Sequence, residues 1–444
     1  MPSLATGAST AAWRPGEPVR PWLDRRHIIG TYAVFLAYAV LFAVFSAGED
    51  QVWAIWASCG YAVALVIMWR WSATTAVLIS VALAVLAPLL WLSVAYQLEA
   101  GMQVIDRSAA LLLHHGTPYF SSAQVTGWLS YNPYLPVMTL AGLLSAAGVG
   151  GLAGNSGVWL AVGTVVPLAA ALWIAMPAPA DHDGGRRDSP QARLRPHHDA
   201  LLATAIAVAS PVIGLNLAVI TTDPPVLAFM LLSLALAVPI ATAAPGAAAT
   251  GASTVRAVSS GAALGVACDL KSTAWLAIPV LAVMFAARDG ARAAWRFLAG
   301  LVITAVVLIA ALAPAVLYRP SAAVALVQNS VLFPLGLTHY KTPAESLLPG
   351  HLLTDLGTAG HVLSVGLLLA AGLGVAISLV IRPPRDIPAA ARRLAIGLAL
   401  MFLLGPNVRF GYFIYPLGLL GWLALNRVPA AGSPGSVERL VGDR

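Results

Sequence analysis

The sequence predicts an all-α, polytopic integral membrane protein, and composition, apolar run length and arginine placement each point that way. Of the 444 residues 59% are hydrophobic and only 10% charged, with a mean hydropathy of +0.82, well outside the range of soluble globular chains. Apolar runs near 29–47, 75–96, 157–176, 200–219, 224–242, 297–317 and 359–381 are each long enough to cross roughly 30 Å of hydrocarbon as a helix. Weaker candidates at 52–69, 134–149, 258–286, 394–405 and 411–426 bring the expectation to about 10–12 crossings. Arginine clusters at 14–26, 186–195, 288–296 and 382–393, with Arg427, mark cytoplasmic loops by the positive-inside bias.

Taken in order, residues 1–28 are polar and Pro-rich, carry Arg14, Arg20, Arg25 and Arg26, and read as a disordered cytoplasmic tail. The run that follows is span-length, so no cleavable signal peptide is expected. Residues 29–426 read as one transmembrane domain without internal repeats, and 427–444 as a second cytoplasmic tail. Three crossings carry the chain to an outer loop at 98–133, and counting back from an inside C-terminus places 319–355 outside as well. An outer loop at 133 and an inner one at 186–195 require an odd number of crossings. The short candidate 134–149, which runs into GVGGLAGNSG, is therefore expected to be partial or re-entrant. Residues 258–286 are either one interrupted helix or a hairpin broken near Asp269 and Lys271. The Ala, Pro, Gly, Asp and Arg mixtures at 178–198 and 243–256 read as flexible cytoplasmic linkers.

The net charge of +7 sits in short clusters at span ends rather than along one solvated face, which argues against nucleic acid as a partner. Cys59 and Cys268 lie in apolar segments with no neighbouring Cys or His at metal spacing, so neither a disulfide framework nor a zinc site is expected. No cofactor is implied.

Chemistry on the outer face must draw on few acids: Glu49, Asp50, Glu99, Asp106, Asp223, Glu345 and Asp355. Glu99 and Asp106 are seven residues apart, so a helix through Gly101 would put both on one face about 10 Å apart. Either carboxylate, partly desolvated at headgroup level, suits a general base; either is equally an ordinary loop acid. His114 and His115 close that helix, with Gly116 as its C′ residue and Pro118 beyond; adjacent histidines chelate poorly. The Pro-rich, polar aromatic segment Tyr131, Asn132, Pro133, Tyr134 reads as the lining of a site entrance or the start of a span. Lys271 stands in an apolar context where a cation costs roughly 2.5–3.5 kcal/mol. Pairing with Asp269, snorkelling and binding a lipid phosphate are all open to it. At the helix start before the Pro pair, Asp223 or Thr222 is expected to cap and complement the dipole, and a substrate contact is the other reading for Asp223. The outer loop around His339, Tyr340, Lys341, Glu345 and His351 mixes apolar and cationic groups, as an anionic headgroup site or a plain interfacial loop would. Arg409, at the outer end of a short span, offers a bidentate fork for phosphate or simply snorkels.

The ordered blocks from Asp106 through HHGTPY, YNPYLPVM, TDPPVLAF, LKSTAWLAIP, FPLGLTHYKTPAESLLPGHL and RFGYFIYPLGLLGW resemble actinobacterial members of glycosyltransferase family 87. These are GT-C superfamily membrane enzymes similar to polyprenol-phosphate-mannose-dependent α-mannosyltransferases. The resemblance runs from about 97 to 425 and is carried by short blocks rather than by one signature. It implies a GT-C-like fold, a polyprenyl-phosphate sugar donor and a glycolipid or glycan acceptor in the cell envelope. It further implies transfer on the outer face of the cytoplasmic membrane and an acidic base on the first large outer loop, Asp106 or Glu99. Lys271 and Arg409, assisted by His339 and Lys341, would hold the leaving phosphate. Tyr119, Tyr131, Asn132, Tyr134, Asp223 and His351 would contact substrate. Many relatives carry the acid directly after the first span in an Asp-aromatic context, whereas here two further apolar segments precede the loop and Ile105 and Arg107 flank Asp106. A lipid phosphate leaves without a metal, and no acidic cluster of metal-binding type stands outside; Asp181, His182 and Asp183 lie in a cytoplasmic linker. A multi-pass transporter or lipid flippase, which Lys271 best supports, and a non-catalytic scaffold subunit are the competing classes.

Overall fold

A computed structural model describes residues 25–95, 100–176, 190–239, 247–340 and 346–426. The expected tails, apart from Arg25–Ile28, and the first parts of the two expected linkers lie outside the described residues. Among those described, every regular element is helical, as the apolar runs require. The helices named below are α1 (Arg25–Phe45), α2 (Gly48–Arg70), α3 (Ala73–Val94), α4 (Ala100–His115), α5 (Ser156–Ala175), α6 (Pro190–Ala209), α7 (Pro211–Ala218) and α8 (Asp223–Leu236). They continue with α9 (Ala247–Leu270), α10 (Ser272–Asp289), α11 (Ala291–Leu312), α12 (Pro320–Val327), α13 (Thr358–Ile381), α14 (Ile387–Leu404) and α15 (Phe410–Leu425).

Among the described residues eight helices are long and apolar enough to cross a membrane, or nine if α6 and α7, bent by 64°, form one span. That is fewer than the expected crossings, because three apolar segments are short: α8, α15 and Pro136–Ala146. The last is the 134–149 candidate. Its seven residues Pro136–Gly142 are 3-10 helix, followed by a single α-turn at Leu143–Ala146, far too short to span, and so the parity problem disappears. The 258–286 segment resolves as a hairpin: α9 ends at Leu270, Lys271 takes an extended conformation, and α10 runs back. The expected linkers are shorter than predicted, since α6 begins at Pro190 and α9 at Ala247.

Glycines set the closest helix approach. A methyl group on Gly265 would stand 2.8 Å from the Leu301 carbonyl oxygen, and on Gly261 or Gly300 it would collide with the Phe297 or Val258 carbonyl. Small residues at these positions let α9 and α11 pack backbone to backbone, the usual way that helices gain contact where lipid supplies no hydrophobic drive. The α6–α7 bend has a chemical cause as well. Pro211 has no N–H to continue the ladder, and nearby carbonyls find side chains instead: Ser210 Oγ donates to Ala207 O at 2.6 Å and Tyr61 Oη to Ala209 O at 2.5 Å.

Gly261→Ala is expected to lower stability by about 1–3 kcal/mol through overpacking, read as a lower thermal midpoint in detergent. Gly421→Ala, where a methyl meets open space, should leave it unchanged.

Candidate functional site

A cavity of about 430 Å³ opens where the N-terminal end of α8, the α9–α10 hairpin, the segment 128–134, the segment 330–335 and the start of α15 meet. Among the described residues Asp223 is the one carboxylate that lines it and Lys271 and Arg409 are its cations, while Trp128, Tyr131, Tyr134, Trp275, Phe333, Phe402 and Tyr412 form its aromatic walls.

The centre of this cavity is an ion pair. Lys271 Nζ lies 2.6 Å from Asp223 Oδ1, and the two residues are only 8% and 7% exposed. Tyr415 donates its hydroxyl to the same oxygen at 2.8 Å, and the Lys271 ammonium stands 4.6 Å from the Tyr412 ring centre and 5.8 Å from that of Tyr134. Of the two expected caps Thr222, not Asp223, holds the N-cap position of α8, and it makes no side-chain capping bond; Asp223 stands in the first turn with Pro224 and Pro225, whose missing N–H groups cost nothing there. Nor does Lys271 pair with Asp269, which is buried with Oδ2 lacking a hydrogen-bond partner. Local sequence accounts for this placement. Ile220 adopts φ +57°, a left-handed conformation costing about 1–3 kcal/mol in a β-branched residue. Thr221 is tied back to Asn216 through N–O and hydroxyl–Oδ1 bonds of 2.8 and 2.9 Å. This strained turn swings Thr221, Thr222 and Asp223 into the cavity.

The wall at Tyr131–Tyr134 is held from below. The Asn132 amide donates to Asn329 Oδ1 at 2.7 Å, Tyr119 Oη to Tyr134 O at 3.0 Å and Ser330 Oγ to Tyr134 O at 3.2 Å. Tyr131 stacks on Phe333, centroids 4.5 Å apart. Asn329 and Ser330 reach these groups because α12 passes into a π-helical turn, Gln328–Leu332, whose extra residue redirects side chains, as such turns do at functional sites. Arg107 fastens the other side, donating to the Leu129 and Ser130 carbonyls with its guanidinium 4.9 Å from the Phe120 ring centre.

The sequence-predicted residues divide accordingly. Tyr131, Tyr134, Asp223, Lys271 and Arg409 line the cavity. Tyr119 and Asn132 are buried behind its wall. His351 supports a lining segment, its Nδ1 2.9 Å from the Pro406 carbonyl, and His339 stacks edge-on against Tyr340; neither is among the lining residues. Glu99, Lys341 and Glu345 lie outside the described residues. Asp106 is on the far side of α4: Ala100, Gly101 and Val104 line the cavity, and Asp106 follows Val104 by about 200° of helix rotation. Its carboxylate accepts from Ser156 Oγ at the start of α5 and packs over Gly142. Gly116 does close α4, with φ +69° and its N–H bonded to Leu112 O at 2.9 Å. Among the described residues no cluster of three metal-ligating side chains occurs.

Sequence reasoning passed over Tyr412, Tyr415, Trp128, Trp275, Phe333 and Asn329. The visible signal was the Gln328–Asn329 polar pair inside an apolar run and the spacing of Tyr412 and Tyr415, three residues apart at a helix start. Comparison with protein-family models, curated proteins and solved structures finds no match to this chain.

Burial pushes the Asp106 carboxyl above its ordinary range, only partly countered by the Ser156 hydrogen bond. The folded state thus holds this proton more tightly than the unfolded chain. Its contribution is complete below the ordinary carboxylate range and fades as pH rises through the raised value. Asp106→Asn should keep the Ser156 bond and flatten that decline, measured as thermal midpoint against pH in detergent; an unchanged profile would show that Asp106 is not its source.

Proposed function

We propose that this protein is a membrane glycosyltransferase. In this reading it moves a sugar, mannose by its resemblance to family 87, from a polyprenyl-phosphate donor to a hydroxyl of a cell-envelope glycolipid or glycan. The observation that carries the reading is the composition of this cavity: a carboxylate, two cations and stacked aromatics meeting at the ends of apolar helices. Aromatic faces suit the C–H face of a sugar, and Lys271 and Arg409 suit a phosphate.

Charge distribution supports an extracytoplasmic site. α10 starts at the cavity and ends at Arg288, and α14 starts after Arg382 and Arg385 and ends at the cavity, so these arginines, with Arg292, Arg296, Arg392 and Arg393, gather at the opposite end of the bundle. That end is the cytoplasmic one by the positive-inside bias.

In the proposed reaction the acceptor hydroxyl gives its proton to a carboxylate as its oxygen bonds to the anomeric carbon. The bond from that carbon to the phosphate oxygen breaks, and the electron pair leaves on the lipid phosphate, whose charge the cations stabilise. The displacement inverts the anomeric centre. In this reading the carboxylate is Asp223, which lines the cavity, whereas Asp106 faces away from it. A lipid flippase is the second reading, favoured by the buried Asp223–Lys271 pair beside the bent α6–α7 helix, since paired intramembrane charges mark transport pathways.

Asp223→Asn in purified protein is expected to reduce transfer from a polyprenyl-phosphate sugar by about 10²–10⁴-fold, with Asp106→Asn close to wild type; Glu99→Gln belongs in the same assay. Wild-type rates in Asp223→Asn would sink the assignment. Lipid movement across vesicles without any sugar transfer would favour the flippase.

A further inference from the structure

We infer that the donor phosphate exchanges partners with Asp223: on binding, it takes Lys271 from the carboxylate, and the exchange converts Asp223 from a structural counter-ion into a proton acceptor. This rests on the transferase reading of the same cavity.

The geometry gives three reasons. First, both recorded bonds to the carboxylate, from Lys271 and from Tyr415, fall on Oδ1. Among the described residues no hydrogen bond reaches Oδ2, and the residue lines the cavity, so an acceptor hydroxyl has an oxygen to approach. Second, Lys271 occupies the carboxylate at 2.6 Å and can leave it only for another anion; a phosphate supplies the replacement charge that a buried lysine requires. Third, Lys271 has somewhere to move. It stands in extended conformation between α9 and α10, on a flexible four-carbon stem, and faces the rings of Tyr412 and Tyr134, which hold the ammonium electrostatically during the transfer. Tyr415 meanwhile keeps Asp223 oriented.

The same exchange orders the reaction. The sugar arrives attached to the phosphate that captures Lys271, so Asp223 is released from its counter-ion only when an electrophile is present. An acceptor that enters first meets a carboxylate still paired with Lys271.

The test uses the full chain in nanodiscs and farnesyl phosphate, a lipid phosphate carrying no sugar. Asp223→Asn leaves Lys271 without its competitor and should bind the probe at least tenfold more tightly than wild type while losing transfer; Lys271→Met should bind at least tenfold more weakly. In wild-type protein, saturation with farnesyl phosphate should shift a carboxylate stretching band in the difference infrared spectrum. The double variant Asp223→Asn, Lys271→Met, which removes both charges together and so is expected to fold, should lack that shift. Folded Asp223→Asn with wild-type or weaker affinity, or a wild-type spectrum unchanged at saturation, overturns the exchange. Sugar transfer in the presence of either result would leave the transferase reading standing without it. The binding and spectral changes without any transfer would support the exchange and remove the enzyme reading.

Discussion

A lysine and an aspartate buried together among apolar helices impose the constraint around which the rest is arranged. Each would be intolerable alone, since an unpaired charge in such surroundings costs several kcal/mol, and the pair must be placed where two chain segments 48 residues apart can meet. That requirement explains why α9 breaks at Leu270 rather than continuing, why the turn before α8 accepts a left-handed isoleucine, and why Tyr412 and Tyr415 stand at the start of α15. Replacing both charges by apolar groups is often neutral or stabilising elsewhere, so stability alone does not account for their presence in a cavity wall.

The surrounding walls are built with little regular α-helix. Ser272–Leu276 and Phe410–Phe413 are 3-10 turns, Gln328–Leu332 is π-helical, and Tyr131–Tyr134 is irregular. Irregular backbone exposes carbonyls and amides that lipid cannot satisfy, and here side chains satisfy them: Asn329, Ser330, Tyr119, Arg107 and Ser272, the last donating to Ser330 O at 3.3 Å. The polar residues of this region thus serve two ends, holding the loops and leaving Asp223, Lys271 and the aromatic faces turned inward.

The fold class was legible because spans obey a one-dimensional rule, namely length of apolar run, which a chain cannot satisfy by accident. What that rule misses is any helix whose burial comes from protein rather than lipid. α8, only 14 residues long, is enclosed by neighbours and was counted as a span. Site residues were legible where a costly residue interrupted an apolar run, as with Lys271 and Asp223. Their pairing was not, because it depends on where two breaks fall in space and not on spacing along the chain. Asp106 and Glu99 drew notice for their seven-residue spacing, yet a periodicity argument fixes only which residues share a helix face. It says nothing of which face meets the cavity, and Val104 rather than Asp106 does so.

The Tyr415 hydroxyl comes 192 residues after the carboxylate it touches, whereas Lys271 follows within one hairpin. During synthesis, then, Asp223 and Lys271 can meet while the last helices are still unmade, and the charges are neutralised before the cavity has a roof. Arg409, Tyr412 and Tyr415 arrive last. A chain cut short before them would keep both partners of the ion pair but lack part of the cavity lining, so the order of residues along the polypeptide delays completion of the cavity until its last helix is made.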